Sequence, residues 1–186
     1  EKMVTQSFFA SGDHPSLFLK PAARLNAEAA RAIKAADLII MGPGNIYSSL
    51  VPTLLVEGMG EALRQARGKK IYVCNLVTKP GQTDGFKVND FVATLERYAG
   101  GELFDYVVYN SAKPAAALLE QYAKAGELWV EYDPEVLAGQ HYQAIGEPLM
   151  SKKVFTQDPN DSLLPRTLIR HDNDKLARLF MRLYFS

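Results

Sequence analysis

Short apolar runs alternate with amphipathic stretches along most of this chain. Leu38–Met41 and Ile71–Cys74 are continuously apolar, a pattern typical of strands that are buried on both faces. Asp105–Tyr109 and Leu128–Val130 are predicted as a third and a fourth strand, and the pattern over Ala144–Met150 allows another. Because helical patterns separate these runs, the sequence predicts an α/β domain with a mainly parallel sheet.

Apolar residues at helical spacing occupy the stretches between the strands. Asn26 is predicted to be the N-cap of an alanine-rich helix over Ala27–Ala36. The same spacing predicts helices that contain Leu55–Ala66, Val88–Leu95 and Pro114–Tyr122, and a last helix that Asp172 caps.

Composition narrows the classes of function. The chain has 186 residues, enough for one domain, and a formal net charge of zero, which argues against a broad nucleic-acid-binding surface. No apolar run reaches the roughly 18 residues of a membrane-spanning helix. The single cysteine, Cys74, fits a reducing compartment, so a cytoplasmic location is expected. His14, His141 and His171 are scattered and give no metal-ligand spacing with it.

The end of the chain differs from the rest in charge. Seven lysine and arginine residues against four aspartates lie between Met150 and Ser186, a balance that suits a small bound anion. The residues from Gln157 to Asp161 are predicted to form a turn-rich linker. The chain begins at Glu1 without methionine, and we expect it to be a fragment.

Three polar loops follow predicted strands. In a parallel sheet the carboxyl ends of the strands share one edge, where ligands usually bind. This places Gly42–Ser49, Asn75–Gly85 and Asn110-Ser111 along one rim.

Gly42-Pro43-Gly44 has two interpretations. Its backbone N–H groups could hold a phosphate or a sugar hydroxyl, or the glycines could serve only a strand-to-helix turn. The dinucleotide fingerprint G-x-G-x-x-G is excluded because Tyr47 occupies the position of its third glycine.

The other polar positions are equally open. Thr83 and Asp84 could bind ligand hydroxyls or a metal-bridged phosphate, or could only cap a helix and close turns. Arg170 could bind phosphate beside the Asp172 carboxylate, or could form a surface ion pair near a helix cap.

Three blocks of sequence then resemble one known family. Ala36–Val56 resembles the pattern ADLIxxGPGSLYTSIxPNLLV of the bacterial gluconeogenesis factor family. Tyr72–Gly85 is similar to its YVCNxMTQPGETDGY block, and Arg170–Ala177 is similar to its C-terminal RHDxxKLA block. This family is a UDP-sugar-binding branch of the CofD-like (2-phospho-L-lactate transferase) superfamily.

The resemblance covers the C-terminal portion of the family protein only. It implies a Rossmann-like three-layer domain that is the C-terminal part of a larger doubly wound fold. Residues 1–186 would be a single partial domain, in which 133–186 form an irregular segment and a helix. The family's N-terminal glycine loop is absent, so half of the expected nucleotide site would be missing.

The resemblance also implies a set of site residues. Gly42, Gly44 and Asn45 would approach a UDP-sugar with backbone and amide groups, and Arg170 would neutralise its diphosphate. No catalytic residue and no metal ligand is predicted. The full set of expected ligand-binding residues is Gly42, Pro43, Gly44, Asn45, Tyr47, Ser48, Ser49, Asn75, Thr78, Gly81, Thr83, Asp84 and Arg170.

The function implied is that of a UDP-sugar-binding regulator of carbon metabolism, cell-wall precursor supply and cell shape. One alternative is a transferase that moves a phosphorylated group from a nucleotide-activated donor with Mg²⁺ and Asp84. Another is a scaffold whose last helix docks a partner through Lys175, Arg178 and Arg182. The sequence leaves the oligomeric state open, a homo-oligomer included.

Overall fold

A parallel sheet of four strands organises the fold. The structure, a computed structural model, describes residues 17–124, 126–151 and 169–186. Every neighbouring pair of strands is parallel, as the sequence predicts, and the strands lie side by side in chain order. The strands are β1 (Leu38–Met41), β2 (Lys69–Val73), β3 (Tyr106–Asn110) and β4 (Gln143–Glu147).

The helices of the described residues flank this sheet. The predicted caps are confirmed: the Asn26 side chain accepts from the Ala29 N–H, and the Asp172 side chain accepts from the N–H groups of Asp174 and Lys175. The helices are α1 (Ala27–Ala35), a π-helical turn (Ile46–Leu50), α2 (Val51–Leu54), α3 (Met59–Gln65), α4 (Val88–Ala99), α5 (Ala116–Lys124), α6 (Pro134–Ala138) and α7 (Asn173–Tyr184).

The helices that connect β1 to β2 and β2 to β3 cover one face of the sheet. The strands lie in chain order, so right-handed crossovers place these helices on the same face. There α4 buries Phe91 and Leu95 in one apolar cluster with Tyr72 and Val107 of the sheet.

The last helix covers the opposite face. Leu179 and Leu183 of α7 are buried against Ile71 and Val73 of β2. The sheet therefore lies between two helical layers, and α7 packs the C-terminal residues onto β2.

The predicted fourth strand at Leu128–Val130 is wrong. Trp129 forms only an isolated antiparallel bridge with Val77, because this extended segment pairs with the loop after β2 and not with the sheet. The strand beside β3 is instead β4, which overlaps the candidate at Ala144–Met150.

The long helix expected over Leu55–Ala66 is also interrupted. Gly58 adopts a left-handed conformation with φ of 87°, which separates α2 from α3. The predicted linker at Gln157–Asp161 lies outside the described residues. Among the described helices, none combines the length and apolar character that crossing a bilayer would require.

The contact between α3 and α4 depends on a glycine. A Cβ added at Gly60 would lie 2.2 Å from the carbonyl oxygen of Ala99. That oxygen belongs to the backbone at the end of α4, so it cannot rotate away as a side chain would.

We expect Gly60→Ala to destabilise the fold by about 2 kcal/mol, in the range of other overpacked substitutions. In an open helix the same change would stabilise by about 1 kcal/mol, so the sign itself tests the close contact. Chemical denaturation measures the free energy of unfolding. Gly139→Ala is the control, because its new Cβ would lie 3.7 Å from the nearest atom, the Val136 carbonyl oxygen. Equal effects of the two substitutions would contradict the packing argument.

Candidate functional site

The loops after β1 and β2 are joined by one side chain. The Asn75 Nδ2 donates to the Gly44 carbonyl at 2.9 Å, and its Oδ1 accepts from the Gly44 N–H at 3.3 Å. The Tyr72 hydroxyl also donates to the Asn75 Oδ1 at 3.4 Å. The two loops predicted to share one rim are therefore in direct contact.

A cavity of about 650 Å³ lies at this edge of the sheet. Its volume is within the range of roughly 300–1,000 Å³ that is usual for small-molecule sites. Three separate parts of the chain form its wall: the loop after β1, the loop after β2 and the start of α7. The lining residues are Pro43, Gly44, Asn45, Asn75, Leu76, Val77, Ile169, Arg170, His171, Asn173 and Leu176.

Backbone hydrogen bonds hold the start of α7 in the cavity wall. The Ser151 N–H donates to the Arg170 carbonyl at 2.8 Å, and the Asp172 N–H donates to the Leu149 carbonyl at 2.7 Å. The residues on either side of His171 are thus fixed to the segment that follows β4. Arg170, which is half-buried, is the arginine of the cavity lining.

Only some residues of the turn after β1 line the cavity. Asn45 lines the cavity and caps the π-helical turn, since its Oδ1 accepts from the Ser48 N–H at 3.2 Å. Ser48 and Ser49 are exposed and lie outside the lining, as does the exposed Gly42. Tyr47 is only 2% exposed and packs in the core, where burial raises the pKa of its hydroxyl.

The polar residues of the loop after β2 mostly bond to the polypeptide itself. Thr78 accepts from the Leu128 N–H at 3.0 Å, and Thr83 accepts from the Lys79 N–H at 2.7 Å. Asp84 accepts from the Gly81 N–H at 2.6 Å. None of Thr78, Gly81, Thr83 and Asp84 lines the cavity, so of the expected residues it brings together Pro43, Gly44, Asn45, Asn75 and Arg170.

His171 was not among the expected site residues, although it lies between Arg170 and Asp172 in the C-terminal block. Burial lowers the pKa of His171 to about 4, and a hydrogen bond with the Cys74 backbone opposes this shift only partly. The imidazole is therefore neutral near pH 7. Burial also raises the pKa of the Cys74 thiol to about 12, which keeps it protonated and unreactive.

The cavity is suited to an anionic, oxygen-rich ligand. It combines one guanidinium with amide side chains, glycine backbone and the imidazole of His171, and the rest of its wall is apolar. Guanidinium and amide groups are the usual partners of phosphate and hydroxyl oxygens. Among the described residues, no group of three His, Cys, Asp or Glu side chains is placed to hold a metal ion.

Comparison with known proteins identifies relatives of this chain. The family model of the 2-phospho-L-lactate transferase CofD matches residues 6–150. The gluconeogenesis factor of Bacillus subtilis is 34% identical over 151 residues, which are 81% of this chain and 44% of that protein. A further relative, from Thermotoga maritima, is 41% identical over 156 residues, which are 84% of this chain and 46% of that protein.

A solved structure shows the same fold. The crystal structure of a UPF0052 family protein from Bacillus halodurans superposes with a TM-score of 0.73 at 26% identity. The match covers 85% of this chain and 47% of that one. The chain thus spans about half the length of the relatives that it matches.

We expect Asn75→Asp to destabilise the protein by about 1–3 kcal/mol, because the carboxylate keeps the acceptor but loses the donor to the Gly44 carbonyl. Asn45→Asp is the matched control: it adds the same charge to the same cavity but retains the cap on Ser48. Thermal unfolding of both variants compares them. Equal melting temperatures would contradict the role of the Asn75 donor.

We expect the half-buried His171 to make stability depend on pH. Below about pH 6.5 the unfolded chain binds a proton on this imidazole, whereas the folded chain does so only near pH 4. The free energy of unfolding therefore falls as the pH drops between these values, by at most about 3 kcal/mol. His171→Gln should flatten this dependence.

Denaturation at several pH values measures the slope, and an NMR titration measures the pKa of each imidazole. A His171 pKa near 6.5, or an unchanged slope in His171→Gln, would contradict the assignment.

Proposed function

We propose that this chain, which belongs to the CofD family and to its gluconeogenesis factor branch, binds a UDP-sugar and regulates metabolism without catalysing a reaction. The observation that carries this proposal is the single cavity in which Gly44, Asn45, Asn75 and Arg170 meet. These residues come from the three blocks of sequence that resemble the family.

The diphosphate is proposed to bind near Arg170. A guanidinium offers several N–H donors in a planar arrangement that matches phosphate oxygens, and its charge persists at any physiological pH. Gly44 has no side chain, so its backbone is open to a close approach by the ligand. A Cβ added there would lie 3.2 Å from the Leu50 side chain, which shows that the packing at this turn is tight.

The sugar and the base are proposed to use the rest of the wall. Asn45 and Asn173 offer amide donors and acceptors for hydroxyl groups, and Leu76, Val77 and Leu176 offer apolar surface for a base. Asn75 has a different role in this proposal. Its amide is already engaged with Gly44, so it shapes the turn that faces the ligand.

The wider role in carbon metabolism, cell-wall precursor supply and cell shape is supported by family membership. The chain covers about half of each relative, so this role is proposed for the whole protein to which such a domain contributes.

The transferase alternative is favoured by the description of the family model itself. It requires Mg²⁺ and Asp84, but the Asp84 carboxylate accepts from Gly81 and lies outside the cavity lining. The scaffold alternative depends on the cations of α7. Of these, Lys175 donates to the Pro148 carbonyl and Arg182 pairs with Glu147, so both already bind the helix to the end of β4.

We expect this chain to bind UDP-N-acetylglucosamine in a calorimetric titration, and Arg170→Ala to weaken binding at least tenfold, since a charged hydrogen-bonding partner is lost. Arg178→Ala is the control, because Arg178 is exposed on α7 and does not line the cavity.

Absence of binding heat, or equal affinities of the two variants, would overturn the proposal. Mass spectrometry after incubation with Mg²⁺ tests the alternative: a transferred product that disappears in Asp84→Asn would support a transferase.

A further inference from the structure

A second cavity, of about 450 Å³, lies on the other side of the loop after β2. The segment Leu76–Thr78 separates the two cavities: Val77 lines the first, and Thr78 lines the second. Leu76 also lines the first cavity, so the change of side falls between Val77 and Thr78, and the segment forms a wall common to both cavities. The second cavity is lined by Thr78, Gly85, Phe86, Lys87, Lys113, Leu119, Glu120, Ala123, Leu128, Trp129 and Glu131.

Two aromatic rings of this cavity are held in place by neighbouring rings. Phe86 packs edge-to-face on Phe91 with centroids 5.5 Å apart, and Trp129 packs edge-to-face on Tyr132 with centroids 6.2 Å apart. Leu128 lies in the same wall and is 52% exposed, although it is a large apolar side chain. A concave surface with fixed aromatic walls and exposed apolar area favours a ligand with an apolar body.

The charges of the wall favour an anion. Within the described part of the chain, neither Lys87 nor Lys113 forms an ion pair. The Glu120 carboxylate lies 3.5 Å from the Lys124 Nζ, which offsets its charge. Glu131 is then the one carboxylate of the lining that opposes the two lysines, so a net positive charge remains.

We propose that this cavity is a second binding site, for an amphipathic organic anion. Its flat or acyl apolar body lies against Phe86 and Trp129, and its carboxylate, sulfonate or phosphate group binds Lys87 and Lys113. This site does not rest on the proposed UDP-sugar function, because the two cavities share no lining residue.

Trp129 is the only tryptophan of the chain, so its fluorescence reports on this cavity directly. The probes are 8-anilinonaphthalene-1-sulfonate and N-phenyl-1-naphthylamine, which has the same rings without the sulfonate. We expect saturable energy transfer from Trp129 to both probes. The double substitution Lys87→Gln with Lys113→Gln should weaken the sulfonate about fivefold or more and leave the neutral probe unchanged.

Ala123→Phe should block both probes by filling the cavity. Ala117→Phe is the matched control, because Ala117 is exposed on the same helix and is not part of the lining. Circular dichroism of each variant verifies that it is folded.

Three results would overturn the proposal: no energy transfer, equal effects of the two phenylalanine substitutions, or equal loss of both probes in the lysine variant. Retained sulfonate binding in Arg170→Ala and in saturating UDP-N-acetylglucosamine supports a separate site, and displacement by the UDP-sugar contradicts it. Failure of UDP-sugar binding alone leaves these outcomes unaffected.

Discussion

The paired hydrogen bonds between the Asn75 amide and the Gly44 backbone hold together the loops that follow β1 and β2. One side chain satisfies both the donor and the acceptor of a single residue across the rim. A buried or half-buried backbone group without a partner is costly, so the glycine turn and the second loop stabilise each other. The mouth of the first cavity is therefore fixed by the same contact that completes the fold at this edge.

The start of α7 forms the third side of that cavity, and it is held there by both hydrogen bonds and apolar packing. Asp172 caps the helix, and its own N–H binds the Leu149 carbonyl. The apolar side of the helix then covers β2, where Leu179 and Leu183 are buried. Arg170 and His171 are held in the wall because the residues beside them are required for the helix cap and for packing. Stability and ligand geometry thus depend on the same short segment.

Local signals in the sequence were sufficient to place β1 and the helix caps. The strand at Leu38–Met41 and the caps Asn26 and Asp172 each depend on residues close in the chain, and each lies where it was predicted. The prediction that this strand is buried on both faces is wrong, because β1 is an edge strand of the described sheet and its Ile40 is 43% exposed. The segment Leu128–Val130 was misassigned because a three-residue apolar run does not reveal its partner. It pairs with the loop after β2, a choice that depends on contacts about fifty residues apart.

The composition of the site was harder to predict for a different reason. Thr83 and Asp84 have the chemistry of ligand-binding residues, but nearby N–H groups use the same oxygens. Tyr47 belongs to the glycine turn by sequence but points into the core, because the π-helical turn rotates it away from the rim. Residue type and position on a loop therefore did not determine which side chains line the cavity.

The wall between the two cavities explains how one loop can serve both. The Leu76 carbonyl accepts from the Val130 N–H, and the Thr78 N–H donates to the Leu128 carbonyl. These backbone hydrogen bonds hold the segment along one edge, as a neighbouring strand would hold a β-strand. Leu76 and Val77 line one cavity, and Thr78 lines the other. The Thr78 hydroxyl also accepts from the Leu128 N–H, and this part-buried hydrogen bond adds to the backbone pairing on the side of the second cavity. The segment Leu128–Val130, which was predicted to be a strand of the sheet, thus pairs with the wall that separates the two cavities.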